Sequence, residues 1–290
     1  MVEFLGARYV FRQNDPLFRF DGRLGWMLQE SLEAGRVTDG KKWSIHTNDR
    51  GERIGWDQPA KGACGSFVAL LGDSFVFGQG VDFRDRFDNR ISAPPKFLNL
   101  GVMGYSPLQA FLRQRENFKN QSCVSVSRIV FFIFENDIRD AQTSHTALRF
   151  RPILKTGRVH YPDGFWHRIH GWLGDESLIY HGFLFVLQDY FGLSVFSVKV
   201  DMDDAGKLTE GMNYAAQNAG VRPVTFVLHG FEPMISQKIL SLPPCKGGDC
   251  IDLGISRKTH PRLYFESNRH WNRTGHLFVA ELLKKILSGK

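Results

Sequence analysis

From position 66 onward, short unbroken apolar runs alternate with amphipathic stretches. Phe67-Val68-Ala69-Leu70-Leu71 is apolar throughout and stops at Gly72, the pattern of a strand covered on both faces. Residues 129–134 repeat it most clearly, 97–100 and 224–228 are further candidate strands, and 251–253 forms a shorter fifth candidate. Helical patterns fall between these runs. Residues 107–118 open on Pro107, whose missing N–H needs no partner in a first turn. Residues 203–218 have Asp203 as a cap and Gly220 as a left-handed terminator. Residues 274–287 place Leu277, Phe278, Leu282 and Leu283 on one face. A further apolar stretch, 179–200, is broken by His181, Gln188, Asp189 and Lys199 and reads as a buried helix followed by a strand.

Strands alternating with helices predict parallel pairing and right-handed crossovers, hence an α/β chain folded as a three-layer α/β/α sandwich around a central parallel sheet. Residues 1–60 break the alternation with turn formers, charges and short apolar pieces such as Phe18-Arg19-Phe20 and Trp43-Ser44-Ile45. They read as an N-terminal extension of loops and short strands, ahead of a domain spanning 61–290. Residues 141–176, rich in Gly, His, Pro and aromatics, read as an insertion or lid near the site.

Composition changes this picture little. The 290 residues are 42% hydrophobic and 23% charged, as in folded globular chains, and 25 Phe predict an aromatic-rich core. The net charge of +7 is scattered without basic clusters, which argues for a solvated surface and against nucleic acid as a partner. No stretch meets the roughly 20 apolar residues of a membrane span. The start of the chain lacks the basic and apolar regions of a signal peptide, a trimmed chain would look the same, and the compartment stays open. Cys245 and Cys250 bracket a loop that could close a disulfide, although free thiols are the favoured reading. His160, His167 and His170 lack a further ligand, so no metal and no organic cofactor is expected. Tyr161, Phe165, Trp166 and Trp172 in the same stretch read as packing first and as sugar-stacking faces second.

The chemistry falls at the carboxyl ends of the predicted strands, where open α/β sheets bind ligands. Gly72-Asp73-Ser74-Phe75 follows the first run and can expose a hydroxyl at a turn. Asn99 through Tyr105, with Gly101 and Gly104, follows the second and can bring unobstructed N–H groups to a ligand. Asn136-Asp137 follows the third, where a side-chain amide could donate to an oxyanion or simply cap the next segment. His270-Trp271-Asn272-Arg273-Thr274-Gly275-His276 precedes the last helix, from where an imidazole can reach a hydroxyl on another strand end.

Each block alone reads better as a turn, a cap or a structural histidine. In this order they resemble the SGNH (GDSL-type) hydrolase family, whose sandwich is flavodoxin-like. The match is local, covering about 67–106, 129–137 and 268–283, and Asn48, Gly51 and Arg53 form a weaker upstream match. The resemblance implies a serine esterase. Ser74 would be the nucleophile and His270 the general base, with an oxyanion hole from the N–H groups of Ser74 and Gly104 and the amide of Asn136. It further implies an acyl ester substrate, with O-acetyl groups on a polysaccharide as the leading class. The family's aspartate before the histidine is absent. Glu266 could complete a triad if the loop bulges, Asn268 could hold the ring without a carboxylate's charge, or the pair could act as a dyad. Glu135, in a place where many members carry a small residue, is expected to point away, and Asp73 and Asp137 to act as structural hydrogen-bond partners. An acyltransferase on the same residues and a non-catalytic carbohydrate-binding protein are the alternatives.

Overall fold

The computed structural model of the chain describes residues 17–55, 64–91, 96–119, 123–144, 149–165, 169, 201, 205–221 and 223–288. The N-terminal part holds β1 (Phe18–Asp21), β2 (Gly25–Leu28), β3 (Glu33–Thr38), β4 (Lys41–Thr47) and β5 (Arg53–Ile54). Then β6 (Gly65–Leu71) leads into the short α1 (Ser74–Phe77), β7 (Phe97–Asn99) into α2 (Pro107–Lys119), and β8 (Val124–Phe134) into α3 (Asp137–Gln142). A hairpin of β9 (Ile153–Lys155) and β10 (Arg158–His160) precedes α4 (Gly206–Asn218) and β11 (Val224–His229). The chain finishes with α5 (Pro233–Leu240), β12 (Cys250–Asp252) and α6 (Arg273–Ser288).

The central sheet has five strands in the order β12-β11-β8-β6-β7, every pair parallel. Side-chain alternation divides its residues between two cores. Phe67, Ala69, Leu71, Phe131, Phe226 and their neighbours pack against Phe111 of α2 and Leu208 and Met212 of α4. Val68, Leu70, Val130, Phe132 and Val227 pack on the opposite side against Val279, Ala280 and Leu283 of α6. These three layers are the sandwich expected from the alternation of runs. The strand order reverses between β6 and β8, which places the ends of these two strands at the switch point where such sheets bind ligands.

Several expectations need correcting. The buried stripe of α6 is His276, Val279, Ala280 and Leu283, while Leu277 and Phe278 are 50% and 36% exposed. The helix is rotated because Gly275 lies against the Leu263 carbonyl, where a Cβ would collide. Small residues on that side let the helix approach closely, and this outweighs the larger apolar groups. The four cysteines are paired, Cys64 with Cys123 and Cys245 with Cys250, so the free-thiol reading of the second pair fails. Parallel pairing of Gly65 with Val124 sets the first pair side by side, with 5.1 Å between Cα atoms. The second pair closes over a turn at Gly248, whose φ of 89° suits glycine, with its Cα atoms 4.8 Å apart.

α4 begins at Gly206, with no side-chain cap at Ala205; Asp203, the expected cap, lies outside the described residues. Gly220 follows its end at φ 66°, as a terminator should. The segment 179–200 also lies outside them, as do Trp166, His167, His170 and Trp172. α5 was not foreseen, because eight residues carry too few turns for a clear period.

The short strands of the N-terminal part do more than lead in. Leu17, Leu24, Trp26, Leu28, Trp43 and Ile45 belong to the same core as α2. The described part of the expected insertion packs on this part too. Arg151, after α3, pairs with Asp140 at 3.1 Å and lies 5.7 Å over the Trp26 ring. No helix among the described residues is long and apolar enough to cross a membrane.

Candidate active site

The serine turn is built by β6 ending against a glycine that nothing larger could replace. At Gly72 a Cβ would come within 2.5 Å of Val76 Cγ2 and 3.2 Å of the Phe132 carbonyl oxygen. The chain then turns at Asp73, whose side chain accepts the Phe75 N–H at 2.9 Å and caps α1. Ser74 is the first residue of that helix, 8% exposed. Gly78 closes the helix in the left-handed region with φ 79°, its N–H donating to the Ser74 and Phe75 carbonyls.

His270 lies on a tight hairpin between residues 263 and 272. The Phe265 N–H donates to the His270 carbonyl at 3.0 Å, and the Asn272 N–H to that of Leu263 at 2.9 Å. Trp271, fully buried, anchors the hairpin among aromatic rings, 4.9 Å from Phe75 and 4.5 Å from His229. Asn272 caps α6 through the N–H groups of Thr274 and Gly275. This sets the imidazole Nε2 2.7 Å from Ser74 Oγ, across 196 residues of sequence.

The other ring nitrogen settles the orienting residue. His270 Nδ1 lies 3.1 Å from Asn268 Oδ1, and the same oxygen accepts the His270 backbone N–H at 2.9 Å. A backbone N–H can only donate, so that atom is the amide oxygen, and it accepts from Nδ1–H as well. The tautomer follows: Nδ1 carries the proton and Nε2 offers its lone pair to the serine hydroxyl. Glu266, the triad candidate, does not reach the ring. Its carbonyl accepts from Arg257 at 2.6 Å, its N–H donates to Asp39 at 2.9 Å, and its carboxylate is exposed. The loop does not bulge, because Asn268 satisfies it from two residues away. With no carboxylate at Nδ1, burial of the ring dominates and lowers the His270 pKa to about 4.

The second block is tied to the first, since the Val102 N–H donates to the Gly72 carbonyl at 3.3 Å. Asn99 braces the pair, giving its amide to the Val76 carbonyl at 2.8 Å and accepting the Gly101 N–H at 3.0 Å. Gly104 adopts φ 76° over the Trp26 ring, a backbone that disfavours any residue with a Cβ. Among the described residues, the N–H groups of Ser74 and Gly104 have no hydrogen-bond partner.

The third block is more occupied than expected. Asn136 precedes α3 without capping it and gives its amide to Asp140 Oδ2 at 3.0 Å and to the Asp73 carboxylate. Asp137 accepts the Phe134 N–H at 2.9 Å, so it and Asp73 are structural partners of backbone groups, as anticipated. Together with Asp140 they form a group of buried, mutually interacting carboxylates. Burial raises the Asp73 pKa to about 7, reinforced by the nearby Asp140, and raises Asp137 for the same reasons plus the charge of Asp73. Glu135 meets Arg269 at 3.1 Å on the histidine hairpin, neutralising a charge beside the site. Among the described residues no group of three or more His, Cys, Asp or Glu could hold a metal.

A cavity of about 520 Å³ opens beyond the ends of β8 and β11, lined by Phe134, Glu135, Gly230, Arg257, Tyr264 and Arg269 among others. Neither Ser74 nor His270 lines it; Arg269, the residue before His270, is its nearest link in the chain to that pair. Trp26 and Asp39, both against the blocks, carry no motif in the sequence and could not be found there. Comparison with protein-family models finds none that matches the chain, and comparison with curated proteins finds no match.

Proposed function

We propose that the protein is a serine esterase of the SGNH type, cleaving an acyl ester, with the O-acetyl group of a carbohydrate as the leading substrate. The observation that carries this reading is the 2.7 Å contact of Ser74 Oγ with His270 Nε2, in a ring whose tautomer makes Nε2 the acceptor. A neutral imidazole so placed is a general base within reach of the proton it must take. Ser74 attacks the ester carbonyl while His270 accepts its proton. The carbonyl oxygen becomes an oxyanion, which the N–H groups of Ser74 and Gly104 stabilise, joined by the Asn136 amide once it turns from the Asp140 and Asp73 carboxylates that hold it. The imidazolium returns the proton to the leaving alcohol as the acyl-enzyme forms. Water then repeats the sequence and releases the acid. A sugar hydroxyl in place of that water would make the same site an acyltransferase.

The amide of Asn268 cannot stabilise imidazolium as a carboxylate would, and this favours a second reading, a carbohydrate-binding protein with little turnover. Labelling with a fluorophosphonate, read by intact mass, separates the two. The esterase reading expects one adduct on the wild type and none on Ser74→Ala or His270→Ala. A folded wild type that takes no label refutes it and leaves the binding protein.

A further inference from the structure

The serine turn and the histidine hairpin are each too short to hold themselves. A four-residue helix leaves its last carbonyls without internal partners, and such a nucleus is unfavourable in isolation. In α1 the Gly78 N–H donates to the Ser74 and Phe75 carbonyls and the Asn99 amide to that of Val76, while the last, Phe77, and the loop after it end on one side chain from the N-terminal part. Arg53 Nη1 donates to the carbonyls of Phe77 at 3.0 Å and Gly78 at 2.7 Å, and Nη2 to those of Ser44 at 2.8 Å and Val81 at 2.6 Å. The guanidinium is buried between the Trp43 and Phe77 rings, 5.2 and 5.0 Å away. The turn before β5 aims it there: Asn48 Oδ1 accepts the N–H groups of Arg50 and Glu52, and Gly51 takes φ 66° against the Leu28 carbonyl.

The histidine hairpin has a corresponding hold. At its tip the N–H groups of Glu266 and Ser267 donate to Asp39, to Oδ2 at 2.9 Å and to Oδ1 at 3.2 Å. Asp39 sits in the turn that joins β3 to β4, and β4 pairs with β5 through Thr47 and Arg53. One three-stranded sheet therefore carries both contacts, and its geometry spaces them.

We propose that Arg53 and Asp39 are positioning residues, the two arms of a clamp through which the β3–β4–β5 sheet sets the serine–histidine contact. The proposal rests on the esterase reading for its effect on rate, and on the two sets of hydrogen bonds for its geometry. A displacement of about 1 Å between reacting groups can cost on the order of a hundredfold in rate, so small movements of either arm are kinetically visible.

The test compares the wild type with Asp39→Ala, Asp39→Asn and Arg53→Lys by fluorophosphonate labelling rate, thermal unfolding and hydrogen–deuterium exchange. Asp39→Ala is expected to slow labelling by about tenfold at unchanged melting temperature and to raise exchange in residues 263–272. Asp39→Asn keeps one acceptor and should recover most of the rate, a rescue that a bland surface role would not produce. Arg53→Lys loses the fork that spans the carbonyls and should slow labelling while raising exchange in residues 74–81. If the wild type labels and both arms can be changed with neither rate nor exchange affected, the clamp is refuted. If the wild type does not label, the esterase reading falls and exchange alone decides the clamp.

Discussion

At the scale of single residues, the site turns on what stands at Nδ1 of the histidine. Asn268 fixes the ring's orientation and tautomer but adds no charge, and burial alone sets the protonation of His270. Since the folded pKa is lowered to about 4, the ring is neutral and able to accept a proton throughout the neutral range. The labelling rate should hold as pH falls and decline only near pH 4. A carboxylate at the same place favours the protonated form, so Asn268→Asp should move that acid limb upward by about 1–2 pH units. The same substitution stabilises the imidazolium of the transition state and should raise the plateau rate by about tenfold or more. Glu266→Gln should leave both limb and plateau where they are. A pH–rate profile of the three proteins checks all of this, and a limb that moves with Glu266 instead would reverse the assignment.

At the scale of elements, the central strands β6 and β8 were legible because they are covered on both sides and read as apolar runs, and β7, β11 and the edge strand β12 as shorter, more mixed ones. All five runs, from Phe67 onward, became the central sheet. The helices were legible in extent and less so in orientation. In α6 the sequence pattern favoured Leu277 and Phe278, but Gly275 and Ala280 admit a closer approach that turns these two outward. Leu283→Ala should cost about 2–5 kcal/mol of stability through the cavity it leaves, and Leu277→Ala within about 0.5 kcal/mol. Denaturant unfolding of the two variants measures the difference. The site blocks were legible because three sit at strand ends and the fourth, with His270, directly before the last helix. The residues that hold them were not, because Trp26 and Asp39 act through contacts 77 and about 230 positions away, with no local pattern to mark them.

At the scale of the molecule, the N-terminal part and the sandwich share one core, and two disulfides brace the fold. Cys64 and Cys123 join the starts of β6 and β8, closing a loop of 59 residues. Loop-closure entropy gives such a link about 4 kcal/mol, so Cys64→Ser paired with Cys123→Ser should lower stability by that order, measured by chemical unfolding. Paired cysteines persist in oxidising surroundings, which is where a chain with this architecture keeps its full stability. The same link lies at the end of the sheet opposite the dyad, and the segment it closes contains Ser74. A protease that cut the chain once inside that segment would therefore release nothing: the severed pieces, Ser74 with them, stay covalently tethered until the link is reduced.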